Sequence, residues 1–429
     1  MIYLVVSLLY LIVNIRKVSL SFFLFGLFFL STIAAFLTGR QPKTSIDTFV
    51  YLIYSIVLYY ILFNSFHRYR NITSISVDFI SKKNLRIVEK SVVLLGLYCL
   101  VVNVYLLVSS LQELALGMLN VSDYKTWGGG FTDLISEKLP ISGLFTLTQW
   151  GSAVGYIALC FHFLYLYQNK IKKSAFFFVL SWNQFLIGIA ALSRSATTEY
   201  ILIYGLLFLV LYPILDKKVR KKIVTIVIFT VAIVLTMFIT ISSVRYGEKY
   251  RKNSQNEAVV DETNSPLLYS LLDYFSLWEE NSMVVMKDYK PEYKRYGMYN
   301  SCGLAVAIQM RMSKTITVAN QRKDIEERIM GYQSTQFHGP VARLLYDFGY
   351  IGTIIFILIF ISVIKRISPQ KGVIKFGDLL LLPPLLTFPA VFFVGNTFSS
   401  LQMNLSIIFA LIIRWFIKKE GKNNCKGII

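Results

Sequence analysis

Charge is scarce in this chain, and the little there is leans one way. Only 16% of its 429 residues are Asp, Glu, Lys or Arg, against about 25% in an average soluble domain. Hydrophobic residues make up 55% and the mean hydropathy is +0.56, a balance that argues against a soluble fold. Cysteine is equally thin: Cys99, Cys160, Cys302 and Cys425 are scattered without CxxC spacing, so neither a disulfide framework nor a zinc site follows. The three histidines, His67, His162 and His338, are dispersed. The chain has no Walker loop, no GxGxxG after a strand, no DxD-like nucleotide-sugar signature in a connection expected to be cytoplasmic and no internal repeat. No cofactor and no metal are expected.

What is there is apolar sequence in blocks, each close to the length that carries a helix across a hydrocarbon core about 30 Å thick. The blocks predict eleven spans: 2–15, 18–38, 48–66, 91–112, 142–167, 174–192, 200–215, 223–242, 346–364, 379–395 and 397–417. The first is short enough to pass for a signal peptide, but no small-residue cleavage site follows it. It is read as a membrane helix. Pro383, Pro384 and Pro389 break the tenth span. The domain reading is spans one to eight over 1–242, a large connection over 243–345, spans nine to eleven over 346–417 and a tail over 418–429.

Lys and Arg orient the bundle. The connections at 16–17, 67–90, 170–173, 217–222 and 365–375, with the tail from Lys418, hold 24 of the 44 basic residues, and the short connections that alternate with them hold five. That pattern puts the N-terminus outside, the C-terminus in the cytoplasm and residues 243–345 outside. The formal net charge of +20 would suggest nucleic acid in a soluble chain. Here the large connection carries 14 basic and 12 acidic residues, so the excess lies on the inner face beside membrane lipids and no nucleic-acid partner is expected.

A connection of about 100 residues between the eighth and ninth spans is far longer than helix–helix connections usually are. Within it, residues 266–286 (PLLYSLLDYFSLWEENSMVVM) repeat apolar positions at helical spacing, and residues 299–312 are apolar enough to lie in the interface. It reads as a partly helical outer cap. Charged residues also mark the outer boundary: Arg194 and Glu199 in the Ser193–Glu199 hairpin, and Arg245 just past the eighth span. Arg194 either pairs with Glu199 to close a turn, or converges with Arg245 on a phosphate, whose oxygens a guanidinium matches bidentately.

The large connection runs into the ninth span through GYQSTQFHGPVARLLYDFGYIG, residues 331–352. This segment, with the Ser193-Arg194-Ser195-Ala196 stretch after a hydrophobic span, resembles the bacterial oligosaccharide repeat-unit polymerases of the O-antigen (Wzy) type and, more distantly, the O-antigen ligases. The resemblance implies a GT-C-like, all-α polytopic protein of the bacterial cytoplasmic membrane. It implies a glycosyltransferase that joins undecaprenyl-diphosphate-linked repeat units at the outer face, with a chain-length regulator as a possible partner.

That chemistry needs cations where the diphosphate leaving group gains charge, and Arg194, Arg245 and Arg343 are the candidates. The acceptor hydroxyl must lose a proton, for which Glu199, His338 and Asp347 are the available groups. In the ligase branch a histidine late in the large loop matters but stands in an HN-like context; here His338 stands in Phe-His-Gly-Pro. Two other readings stay open from sequence. One is a ligase that transfers finished glycan, and the other is a non-enzymatic flippase or transporter of lipid-linked oligosaccharide.

Overall fold

A computed structural model describes residues 2–40, 46–78, 80–116, 139, 142–190, 194–221, 223–224, 236, 266–294, 296–297, 300–301, 303–305, 307–308, 338–393, 398 and 400–424. The chain is mostly helical. Among the described residues, seven helical stretches are long and apolar enough to cross a membrane: 20–37, 82–113, 143–167, 171–190, 195–214, 340–367 and 401–418. Three shorter apolar stretches, 2–14, 48–64 and 376–390, fall where further spans are expected. The expected eighth span lies almost wholly outside the described residues.

The chain divides into two compact units. The first is formed by residues 1–70, 242–366 and 387–401, and the second by 71–241, 367–386 and 402–429. The described part of the large connection belongs to the first unit.

In the first unit, α1 (Ile2–Asn14), α2 (Leu20–Leu37) and α3 (Ile46–Asn64) pack with α10 (Pro266–Asp288) and α11 (Pro340–Ile367). Ser19 caps α2, its hydroxyl accepting from Phe22 N at 3.3 Å. The core is aromatic: Trp278 lies between 5.1 and 5.8 Å, centroid to centroid, from Tyr3, Phe28, Tyr59 and Phe392. Trp278 Nε1 donates to Ser31 Oγ at 2.6 Å, and Ser31 Oγ donates to Phe275 O at 2.6 Å. A buried indole N–H is thus satisfied across two helices far apart in sequence.

In the second unit, α4 (Lys82–Ala115), α5 (Ser142–Gly151), α6 (Gly155–Tyr167), α7 (Ile171–Ser181), α8 (Asn183–Ala190) and α9 (Arg194–Leu211) form the body. Close helix contact requires glycine. A Cβ on Gly155 would meet Gln184 N at 2.8 Å, and one on Gly188 would meet Ala196 Cβ at 2.2 Å. Asn103 Nδ2 donates to Ser152 Oγ at 3.0 Å and to Asn183 Oδ1 at 2.9 Å, linking α4 to its neighbours inside the helix pack.

Strands β1 (Ser74–Ser76) and β2 (Val373–Lys375) pair in parallel within the second unit, with Ser74 opposite Val373. Within the first unit, Leu20 N donates to Tyr69 O at 3.0 Å. The connection before α4 is thereby tied by backbone hydrogen bonds to the start of α2 and to the connection after α11. Within the expected tenth span α12 (Phe376–Leu379) ends before α13 (Leu382–Ala390), but the prolines do not make the interruption: Pro383 and Pro384 stand in the first turn of α13, where their missing N–H groups leave no intrahelical bond unmade, and Pro389 lies inside α13. The chain closes on α14 (Leu401–Asn424).

Candidate functional site

Three of the six residues singled out from sequence come together in the first unit, around the start of α11. Pro340 opens this helix, and His338 and Gly339 lead into it. The helix is interrupted at Gly349, whose φ of 64° and ψ of −175° lie in a region essentially reserved for glycine. Residues 340–348 therefore form a short helix of their own ahead of the longer stretch. Arg343 and Asp347, four apart, share one face of it.

Both are buried, as is His338. Asn300 holds this face: its backbone N and its Nδ2 each reach Asp347 Oδ2 at 2.6 Å, and Nδ2 also donates to Arg343 O at 3.1 Å. Tyr296 N donates to Asp347 O at 3.0 Å. Asp347 thus docks the 296–301 segment of the large connection onto α11, which makes it an organiser of the site. The His338 ring stands edge-on to Tyr346 at 6.2 Å. Gly339 N donates to Ser282 Oγ at 2.8 Å, and a Cβ at Gly339 would sit 1.9 Å from the Tyr59 hydroxyl and 3.2 Å from Trp278 Cε3. Only glycine lets the chain pass α10 this closely.

Sequence reasoning missed Glu279. It is 1% exposed on α10, beside Trp278 and one turn from Ser282, and burial pushes its carboxyl up to about 8. Its neighbour Glu280 points outward, 3.1 Å from Arg40 Nη1. The signal lay in the pattern: position 279 falls on the same helical stripe as Phe275, Ser276, Ser282, Met283 and Met286. A carboxyl that titrates near 8 can accept or release a proton at physiological pH, while a guanidinium such as that of Arg343 stays charged.

The hairpin expected at 193–199 is instead helical from Arg194 onward, so Glu199 lies in the second turn of α9. Ser195, Ala196, Thr197 and Thr198 do not break a helix, and their polarity suits its first turns, where backbone N–H groups lack intrahelical partners. The Tyr156 hydroxyl donates to Glu199 Oε1 at 2.6 Å, and Gln184 bonds the same carboxyl. These groups belong to the second unit. The side chain of Arg194 and the whole of Arg245 lie outside the described residues. Among the described residues no group of three or more His, Cys, Asp or Glu is placed to hold a metal.

No family model, curated protein or solved structure matches this chain. Its residues and their geometry therefore carry the functional argument.

Proposed function

We propose that this protein polymerises undecaprenyl-diphosphate-linked oligosaccharide repeat units at the outer face of the bacterial cytoplasmic membrane. In this reading it crosses the bilayer eleven times in a GT-C-like arrangement, with the N-terminus outside and the C-terminus in the cytoplasm. One observation carries the proposal. His338, Arg343 and Asp347, chosen from the likeness to the polymerase family, are buried together at the interrupted start of α11, held by Asn300 from the large connection.

The proposed chemistry follows from these groups. Arg343 stabilises charge on the departing diphosphate, and Arg194 and Arg245 are the other candidates for that role. His338 or a carboxyl takes the proton from the acceptor hydroxyl as the anomeric C–O bond to the lipid diphosphate breaks and the new glycosidic bond forms. Donor and acceptor are both lipid-linked, so hydrophobic helices around a polar site suit the substrate. The ties between basic connections fit the alternation, which requires these to share a side, and the choice of the cytoplasm as that side rests on their Lys and Arg.

The test is deletion of the gene, followed by analysis of lipid-linked glycan. The expected outcome is accumulation of single repeat units on lipid, with loss of polymer that the purified protein restores in vitro. Polymer persisting without the gene overturns the proposal. Polymer formed but not transferred to its final acceptor would assign a ligase, and repeat units confined to the inner leaflet would assign a flippase.

A further inference from the structure

A groove in the second unit is lined by Tyr212, Lys217, Arg220, Lys221 and Val224, with a volume of about 390 Å³. It lies where the 195–214 stretch ends, on the connection that basic alternation assigns to the cytoplasm. Lys217, Arg220, Lys221 and Val224 recur at i, i+3, i+4 and i+7, which is one face of a helix. The opposite stripe is buried through Val219 and Ile223. The helix therefore turns three cations into a single cleft and ends it with an exposed apolar side chain.

Arg220 is built into the wall. Its Nε donates to Leu215 O and its Nη2 to Pro213 O, both at 2.7 Å, and its guanidinium carbon lies 4.9 Å from the Tyr212 ring centroid. Two of its five N–H donors are used in this way and the plane is stacked. The remaining donors sit on a group whose orientation is already set, between two lysines four residues apart. Residues 212–224 contain one carboxylate, Asp216, against five Lys or Arg.

We propose that this groove binds the phosphate of an anionic phospholipid headgroup from the bordering leaflet. A phosphate meets three cations and an oriented guanidinium fork, and Val224 and the Tyr212 ring offer the apolar wall that glycerol and the first acyl carbons require. Diffuse attraction between a basic loop and an anionic leaflet needs charge alone. A site of this kind needs the fork as well, and that difference is measurable.

The experiment uses the full-length protein in nanodiscs of phosphatidylcholine doped with phosphatidylglycerol, with protein-bound lipid counted by native mass spectrometry. The wild type is expected to enrich phosphatidylglycerol about tenfold over its share of the bilayer. Arg220→Lys, which keeps the charge, and the pair Lys217→Gln/Lys221→Gln are each expected to lower that enrichment by about fivefold or more. Lys170→Gln/Lys172→Gln, which removes equal charge from another basic connection, should change it by about twofold or less. Equal loss in that control pair, an unaltered Arg220→Lys variant or absence of enrichment each overturns the proposal. So does displacement of the lipid by millimolar inorganic phosphate, which would assign the groove to a soluble anion.

Discussion

Glu279 and Glu280 are adjacent and chemically identical, yet one is buried against an aromatic core and the other reaches solvent and Arg40. Burial raises the Glu279 carboxyl from 4.5 to about 8. The folded state then binds more protons at this group than the unfolded state between those values, so the contribution of Glu279 to stability is greatest below about pH 4.5 and falls as pH rises towards 8. The span of that loss is on the order of 5 kcal/mol at most. Glu279→Gln should flatten the decline in thermal midpoint between pH 5 and pH 8 in detergent, and an unchanged slope would mean the carboxyl is ionised in the fold. A second residue-scale test concerns the arginines. Arg194→Lys, Arg245→Lys and Arg343→Lys keep charge but lose the planar fork, so at a diphosphate clamp each should lower polymer formation by about tenfold or more, with Arg251→Lys nearly silent. Wild-type turnover in all three would return them to structural anchors.

At the scale of the element, α11 is defined by its interruption. Gly349 holds φ 64° and ψ −175°, with the Tyr289 hydroxyl 3.3 Å from where a Cβ would stand. Gly349→Ala is expected to destabilise the protein by roughly 1–3 kcal/mol and to reduce activity further by misaligning residues 340–348. Gly205→Ala, on α9 with open space around it, should leave the thermal midpoint nearly unchanged. A Gly349→Ala midpoint equal to that of Gly205→Ala would show that the interruption is not required. Block length made most of the spans legible, because a bilayer imposes a length that composition cannot disguise. The interruption was not legible, since a glycine within an apolar run reads as a tolerated helix residue. Nor was the early start of α9, because a polar Ser-Arg-Ser-Ala stretch reads equally well as a turn or as the first turns of a helix. Clustering of His338 with Arg343 and Asp347 was readable as proximity along the chain. Their attachment to Asn300 and the inward turn of Glu279 depend on how α10 and the 296–301 segment pack, which no local pattern encodes.

For the whole molecule, alternation of basic connections makes a claim that one fusion series decides. A reporter active only outside the cytoplasm should be on when fused near Lys290 and off when fused just after Lys222, and the inverse pattern would reverse the proposed orientation. The same compact units also set a timetable. Ser31 hydrogen-bonds Trp278 across 247 positions, and Tyr3, Phe28 and Tyr59 pack on that one indole. At synthesis rates of about 5–20 residues per second, Ser31 waits roughly 12 to 50 s before the indole it bonds is made. During that interval Ser31 and the face of Tyr3 have no native indole partner, so a ribosome stalled before residue 278 leaves a half-built nucleus exposed to the membrane's quality-control proteases. Packing of the first three helices thus waits on side chains translated more than halfway down the message, Trp278 and then Phe392.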